Sequence, residues 1–537
     1  LFFSALLRAG GTIAYRPSIL ARHFHRRDLD GLRAQLVGYG TGLTAAYAAL
    51  VRRHPTVLVR LAGLAPRAAR EVLGRSGERT ATIEADFPVE LLRANRRAML
   101  RGPSAYRRGR SRSVGQSRSG ITDDLQAATA VEPGPVKVVL VELSEPTPEF
   151  SPHRDGESPY DDGHQYQAVR VFALSHGRPV GEVTLPFNGR VLAAEEVGRR
   201  LSGLTPVAPI ELVEPAPFVS VVVASSFARR PMLERCVAAL GRLDYPRYDV
   251  IVVDNRPMAD PADWRALEAV GNVRVVAETR PGASAARNRG LAAAAGEIVA
   301  FTDDDTVVDG GWLRALAGRF AAEPDADCVT GLVLPGELET AAQIWFEESG
   351  NAFAQKYERA SYAGGPFTVM NRYADNPYQP ASVYRLGEYG TGSNMALRTS
   401  VLRDLGGFDE ALGPGTPAMA GEDILLFLRL LSRGGRLAYE PGAFVRHWHR
   451  RDIDDLLHQT RSYGIGLTAM LTAAVRRDPR HLWGLAKIIL PGISLLLRGE
   501  ATGSTPPPRA LVVAKRGGML IGPLAYLRGG RRMRAWR

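Results

Sequence analysis

Cysteine is almost missing from this chain: 537 residues hold two, Cys236 and Cys328. They form no C-x-x-C or Cys/His spacing, which excludes a disulfide scaffold and a structural zinc site and fits a reducing cytosol. Lysine is nearly as scarce, with four against 64 arginines. Long apolar runs are missing too. No stretch reaches about 18 uninterrupted apolar residues, so no membrane span is expected. The nearest approach, Leu482–Leu497, is broken by Lys487 and Pro491 and reads as an interfacial or core helix. Leu1 opens no charged n-region with a cleavage site, so no signal peptide is expected either.

Acidic residues are sparse at both ends. Residues 1–120 carry 22 arginines against seven acidic side chains, and 441–537 carry 17 Arg or Lys against five, so the net charge of +12 hides an acidic middle. A nucleic-acid enzyme places its positive charge around the catalytic groove, so no nucleic-acid partner is expected. The basic ends suit a peripheral contact with an anionic membrane surface. A general preference for arginine accounts for part of the same bias. The expected location is cytoplasmic, with the inner face of the plasma membrane as the contact.

Residues 1–55 repeat residues 425–479 at a constant offset of 424, with 29 identities in 55 positions. His23-Phe24-His25-Arg26-Arg27-Asp28 answers His447-Trp448-His449-Arg450-Arg451-Asp452, and Gly102-Pro103-x-Ala105-Tyr106 answers Gly522-Pro523-x-Ala525-Tyr526. Residues 1–110 therefore read as the tail of an upstream copy without its front. Either the sequence is a fragment of a longer tandem enzyme or the first copy has decayed into an accessory segment; the start at Leu1 favours the fragment. Residues 111–136 are Ser/Arg/Gly/Pro-rich and read as a linker. Strand-like runs over 137–205 suggest a small β-rich module, and 481–537 a basic helical tail.

From residue 215 strand and helix patterns alternate. Phe218–Ala224, Val250–Asp254, Asn272–Ala277 and Glu297–Thr302 read as strands, with helical stretches at Met232–Leu240 and Ala285–Ala295. Such alternation argues for a mostly parallel, doubly wound α/β sheet, in which ligands bind at the carboxyl ends of strands. Asp254 and the triplet Asp303-Asp304-Asp305 both fall there. Three adjacent carboxylates repel one another unless a cation or hydrogen-bond donors offset the charge, and Mg2+ or Mn2+ bridging carboxylates to substrate phosphates is one such cation. A solvated acidic turn is the simpler alternative. Gly421-Glu422-Asp423 opens the helical run Ile424–Leu431, where carboxylates also serve as caps. His447-x-His449 follows the turn Glu440-Pro441-Gly442.

Taken in order, these motifs resemble family 2 glycosyltransferases of the GT-A fold over residues 215–480. Arg280-Pro281-Gly282-x-Ser284-x-Ala286-Arg287-Asn288-x-Gly290 is similar to that family's nucleotide-proximal loop and helix, and Glu297–Asp305 to its D-x-D strand. Gly392-Ser393-Asn394-Met395-Ala396 with Gly406–Glu410 resembles its acceptor-side segment, Gly421-Glu422-Asp423 its E-D motif, and Tyr439–His447 the strand carrying a third metal ligand. The resemblance implies a Rossmann-like GT-A catalytic domain and inverting transfer of a sugar from a nucleotide-sugar donor to a glycan or lipid-linked acceptor, with Mn2+ or Mg2+ as cofactor. It also implies roles. Asp254 holds the base or ribose, Arg287 lies near the base, and Asp303 and Asp304 belong to the donor site. Asp303, Asp305 and His447 bind the metal, Asn394 lies on the acceptor side, and Asp423, with Glu422 as the alternative, is the general base.

One segment departs from the pattern. The first strand ends Ala224-Ser225-Ser226-Phe227-Ala228-Arg229, where the family often has Pro-Thr and an Asn or Asp before the Arg, and this leaves the donor nucleotide open. A sugar-1-phosphate nucleotidyltransferase would place a Gly-rich loop there, and Ser225–Arg230 has no glycine. A non-catalytic scaffold with a decayed site is the other alternative, although Asp305, Asp423 and His447 are all retained.

Overall fold

The structure is a computed structural model, described over residues 133–153, 165–348, 357–374, 376–384, 386–486 and 508–535. The N-terminal repeat copy, almost all of the linker and most of Leu482–Leu497 lie outside the described residues.

Strands β1 (Val136–Glu142), β2 (Ala168–Ser175) and β3 (Arg178–Pro186) form a three-stranded sheet, β1 parallel to β2 and β2 antiparallel to β3. The β2–β3 turn is the pair His176-Gly177, with φ of 51° and 72°, the left-handed geometry that matches strand twist in a two-residue hairpin. Alternate residues Val169, Val171 and Ala173 face inward onto Phe150, Leu185 and Phe187, and helix α1 (Ala194–Leu201) closes this core with Val197 and Leu201.

The larger sheet begins at β4 (Val219–Ser225), followed by α2 (Arg230–Leu240), β5 (Tyr248–Asp254), a short α3 (Arg265–Glu268), β6 (Val273–Ala277), α4 (Ala283–Ala293), β7 (Ile298–Asp303) and β8 (Thr306–Val308). Runs such as Val221–Val223, Val250–Val253 and Val299–Phe301 are wholly buried, as expected of parallel strands covered by helices on both faces. Beyond these lie α5 (Trp312–Ala322), β9 (Cys328–Pro335), α6 (Ala341–Glu348), β10 (Ala360–Gly365), β11 (Thr368–Tyr373), β12 (Gln379–Ser382), β13 (Asn394–Arg398), α7 (Thr399–Asp404), α8 (Glu422–Ser432) and β14 (Arg436–His447).

The sheet order is β12-β11-β10-β14-β9-β13-β7-β4-β5-β6, with β8 paired to the end of β14. The parallel expectation holds for β7, β4, β5 and β6. Past β7 the sheet is mixed: β13 runs antiparallel to both neighbours, and β10 to β12 fold back as hairpins that need no crossover helix.

Two long helices follow, α9 (Ile453–Arg477) and α10 (Arg509–Ala535). Asp452 caps α9 by accepting from the Asp454 amide. The helices approach closely at Gly464, where an added Cβ would lie 2.0 Å from the Lys515 carbonyl oxygen. The stretch Ala510–Arg534 of α10 is long and apolar enough, by length and composition, to cross a membrane.

Candidate active site

Strand order brings the carboxylates together. Ser225 at the end of β4 pairs with Asp254 of β5, and Ala224 pairs with Asp303 of β7, so both aspartates reach the same edge of the sheet. At the end of β14, His447 pairs with Thr306, just past the acidic triplet.

Arg287 of α4 joins the two acidic motifs. Its Nη2 donates to Asp303 Oδ1 at 2.8 Å and its Nη1 to Glu422 Oε1 at 2.6 Å. Only 5% of its side chain is exposed, and Phe408 packs against the guanidinium. Burial works against its charge, but Asp303, Glu422 and Asp423 outweigh that and raise its pKa further. Glu422 is itself buried, and burial together with the Asp423 charge lifts its carboxyl above the ordinary range despite Arg287.

The neighbouring Asp423 is half-buried. Its Oδ2 accepts the Gly392 amide and its Oδ1 the Ile424 amide, both at 2.7 Å. It lies at the positive end of α8. The turn into that helix needs Gly421, whose φ is 93° and whose added Cβ would meet the Gly466 carbonyl at 2.8 Å.

Asp305 sits between His447 and Arg229. His447 Nε2 lies 3.3 Å from its Oδ1, and Arg229 Nη2 lies 2.7 Å from its Oδ2. Burial would raise this carboxyl, yet His447 and Arg229 hold it well below the usual carboxylate range. Burial likewise works to lower His447, and Asp305 outweighs it to raise the imidazole. Asp304 turns back toward β4, accepting from Ser225 Oγ at 2.7 Å; burial and Asp305 push it up to about 6.

One donor atom each from Asp303, Asp305 and His447 lie within 4.8 Å of one another. Donors around an ion with bonds of about 2.1 Å stand up to about 4.2 Å apart, so small side-chain shifts close the site, and two oxygens with one imidazole nitrogen suit Mg2+ or Mn2+. The residues fit the ion.

Residues 215–463 match the family described as "Glycosyltransferase like family 2". This stretch is similar to that family over 249 of the chain's 537 residues. Its α/β architecture, with parallel strands delivering Asp254 and Asp303 to one edge, agrees with the GT-A fold expected from the sequence. The pre-mycofactocin glycosyltransferase of Mycobacterium tuberculosis is 34% identical over 215 residues, 40% of this chain and 39% of that protein. The glucosyl-dolichyl phosphate glucuronosyltransferase of Haloferax volcanii is 25% identical over 31% of this chain and 47% of its own length. The chain thus spans less than half the length of either curated relative. Among solved structures, the mannosyltransferase PcManGT from Pyrobaculum calidifontis, in complex with GDP-Man and Mn2+, is 20% identical, with 61% of this chain and 78% of that chain covered at a TM-score of 0.35.

Three expected residues stand differently within the larger sheet and its helices. Asn394 is not on a cleft wall. It is fully buried, its amide donating to the Leu332 and Ala443 carbonyls at 2.8 Å and its oxygen accepting from Trp312 Nε1 at 2.9 Å. It fills the gap where β14 shifts register against β9 between Glu440 and Phe444. Asp254 is also fully buried, and its carboxylate accepts three donors of Arg256 and Trp264 Nε1. Arg256 in turn lies over the Phe227 ring at 4.4 Å. Arg287, expected near the base, is the bridge between carboxylates.

Sequence reasoning missed Arg229, Arg256 and Glu347. Glu347 Oε1 lies 2.7 Å from His449 Nε2, and the His449 and His447 Nδ1 atoms are 3.1 Å apart. The H-x-H spacing, which begins at the last residue of β14 and runs past it, was the one visible signal.

Proposed function

We propose that this domain transfers a sugar from a nucleotide-sugar donor to an acceptor hydroxyl, with inversion at the anomeric carbon and a divalent ion, Mn2+ or Mg2+, at Asp303, Asp305 and His447. The observation carrying this reading is the Arg287 bridge, which sets the D-x-D strand end and the start of α8 beside each other. When bound, the ion would act as a Lewis acid on the departing diphosphate.

Asp423 is the general base. Its hydrogen bonds from the Gly392 and Ile424 amides fix its orientation, and it is the more exposed of the E-D pair. The acceptor oxygen bonds to the anomeric carbon as its proton passes to Asp423, and the bond to the diphosphate oxygen breaks with its electron pair. Attack from the face opposite the leaving group inverts the configuration. Glu422, consumed by Arg287, positions rather than transfers. Asp254 acts on the nucleotide through the Arg256 guanidinium that it clamps.

Residues 215–480 are the catalytic unit, with 137–205 an accessory module and 481–537 a basic tail. The acceptor belongs to a cell-surface or lipid-linked glycan, handled at the cytoplasmic face of the membrane. The basic termini support this, as does the dolichyl phosphate in the name of the Haloferax relative.

The test is a panel of nucleotide sugars with a generic lipid-linked acceptor, read by mass spectrometry with Mn2+, with Mg2+ and with EDTA. Transfer is expected with either ion and none with EDTA. Full activity in EDTA overturns the metal role, and release of sugar from no donor overturns the transferase reading in favour of a scaffold.

A further inference from the structure

Helix α10 presents two unlike sides. Gly518, Gly522, Ala525 and Gly529 recur every three or four residues, are buried, and let the backbone close on its neighbours. A Cβ added at Gly518 would lie 2.2 Å from the Arg461 carbonyl oxygen of α9, and one at Gly522 2.5 Å from that of Ile465. Thr468 Oγ1 donates to the Met519 carbonyl at 2.7 Å, and the Tyr526 hydroxyl donates to Asp409 at 3.2 Å. The helix is thus fixed to the folded body along that side. The opposite side is bare and apolar: Val513, Leu520, Leu524 and Leu527 are 66%, 87%, 48% and 40% exposed. At about 100° per residue these four fall within about 60° of one another, along about 21 Å of helix. Arg528, Arg531, Arg532 and Arg534 are exposed over the last two turns, and α10 contains no acidic residue.

An exposed apolar stripe marks an interaction surface. Its partner must be apolar opposite the four aliphatic side chains and anionic opposite the arginines. A bilayer with anionic lipid offers both, acyl chains below and phosphate-bearing headgroups level with the guanidinium groups. A second copy of this chain, docked helix to helix, brings no acidic residue to meet the cations. Ala510–Arg534 is also long and apolar enough to span a membrane. Spanning, however, would draw in α9, which carries exposed Asp454, Asp455 and Arg461. Lying in the interface leaves these in water.

We propose that the side of α10 formed by Val513, Leu520, Leu524 and Leu527 docks flat into the headgroup region of an anionic bilayer, where Arg528, Arg531, Arg532 and Arg534 pair with lipid phosphates. Helix α9 separates this surface from the start of α8, for a Cβ added at its Gly466 would lie 2.6 Å from the Ala420 Cβ. Two helix diameters of about 10 Å each then hold the E-D pair roughly 20 Å from the plane in which a lipid-linked acceptor moves. The inference rests on the membrane-side reading of the acceptor given above, and its test uses neither donor nor acceptor.

The test sediments the full-length protein with vesicles of phosphatidylcholine alone or mixed with phosphatidylglycerol, at low and high salt. Wild type should pellet with the anionic vesicles and be released by salt and by alkaline carbonate. Leu520→Gln/Leu524→Gln should lower the partition coefficient about ten-fold or more. Arg531→Gln/Arg532→Gln should lower it about 25-fold on anionic vesicles only, at roughly five-fold per cation. All four positions are exposed, so the melting temperature of either variant should match wild type. Unchanged binding in either variant, or equal binding to neutral and anionic vesicles, overturns the proposal. Pelleting that resists carbonate overturns it in favour of a span, and self-association without vesicle binding overturns it in favour of a second copy. Failure to bind vesicles leaves the transferase reading standing, and failure to transfer sugar leaves this surface standing.

Discussion

Replacing Arg287 by methionine is the sharpest test of the site's electrostatic organisation. The side chain joins Glu422 and Asp303, but the two partners differ in exposure. The Glu422 side chain is 7% exposed, whereas that of Asp303 is 32% exposed and can rehydrate. The cost of Arg287→Met should therefore come mainly from stranding Glu422. Breaking a buried pair by removing one partner costs about 3–5 kcal/mol, whereas an exposed pair contributes about 0–1 kcal/mol. We expect urea unfolding, followed by tryptophan fluorescence, to show a loss of about 3–5 kcal/mol at neutral pH. The double variant Arg287→Met/Glu422→Gln should recover about 1–3 kcal/mol of it, because no buried charge is then left unpaired.

The pH dependence of that loss has a definite sign. Burial and Asp423 already raise Glu422 against the pull of Arg287, and without the guanidinium its folded pKa rises further above the unfolded value of about 4.3. A carboxyl raised in the folded state binds more protons there than in the unfolded chain. The variant's deficit should thus shrink as pH falls toward about 5 and grow as pH rises through the new folded pKa. A deficit under about 1 kcal/mol, one that is flat with pH, or one that Glu422→Gln leaves unchanged would refute the reasoning.

The remaining predictions concern other parts of the molecule. Asp423→Asn should keep donor affinity within a few-fold while lowering turnover about 10²- to 10⁴-fold; lost donor binding in titrations would instead make Asp423 a donor-side residue. In metal-free protein, His447 is raised and Asp305 lowered, so their pairing should add stability between about pH 4 and 6.5 and fade as pH rises through the raised His447 value. Thermal melts in EDTA of wild type against His447→Phe should show this window. Gly464→Ala should loosen α10, since its Cβ would press on the Lys515 carbonyl, whereas Gly517→Ala, with nothing within 4 Å, should not; tryptic cleavage of the arginine-rich α10 measures the difference.

The sequence alone determined the local features. Apolar runs ending at Asp254 and Asp303 reveal strands and their carboxyl ends, because burial on both faces demands unbroken apolar residues. The start of α8 at Gly-Glu-Asp and the H-x-H that begins at the end of β14 are likewise written in neighbouring residues. Only the tertiary structure decided which polar atoms meet. Arg287 reaches Glu422 across 135 positions and Glu347 reaches His449 across 102, and no local pattern encodes such pairs. The resemblance put Asn394 on the acceptor side, yet the register shift of β14 against β9 leaves carbonyls that its amide must satisfy in the core. Asp254 ends its strand as expected, but Arg256 and Trp264 occupy its carboxylate. A residue's type and spacing fix what its side chain can donate or accept, and the packing of distant elements fixes which partner it finds.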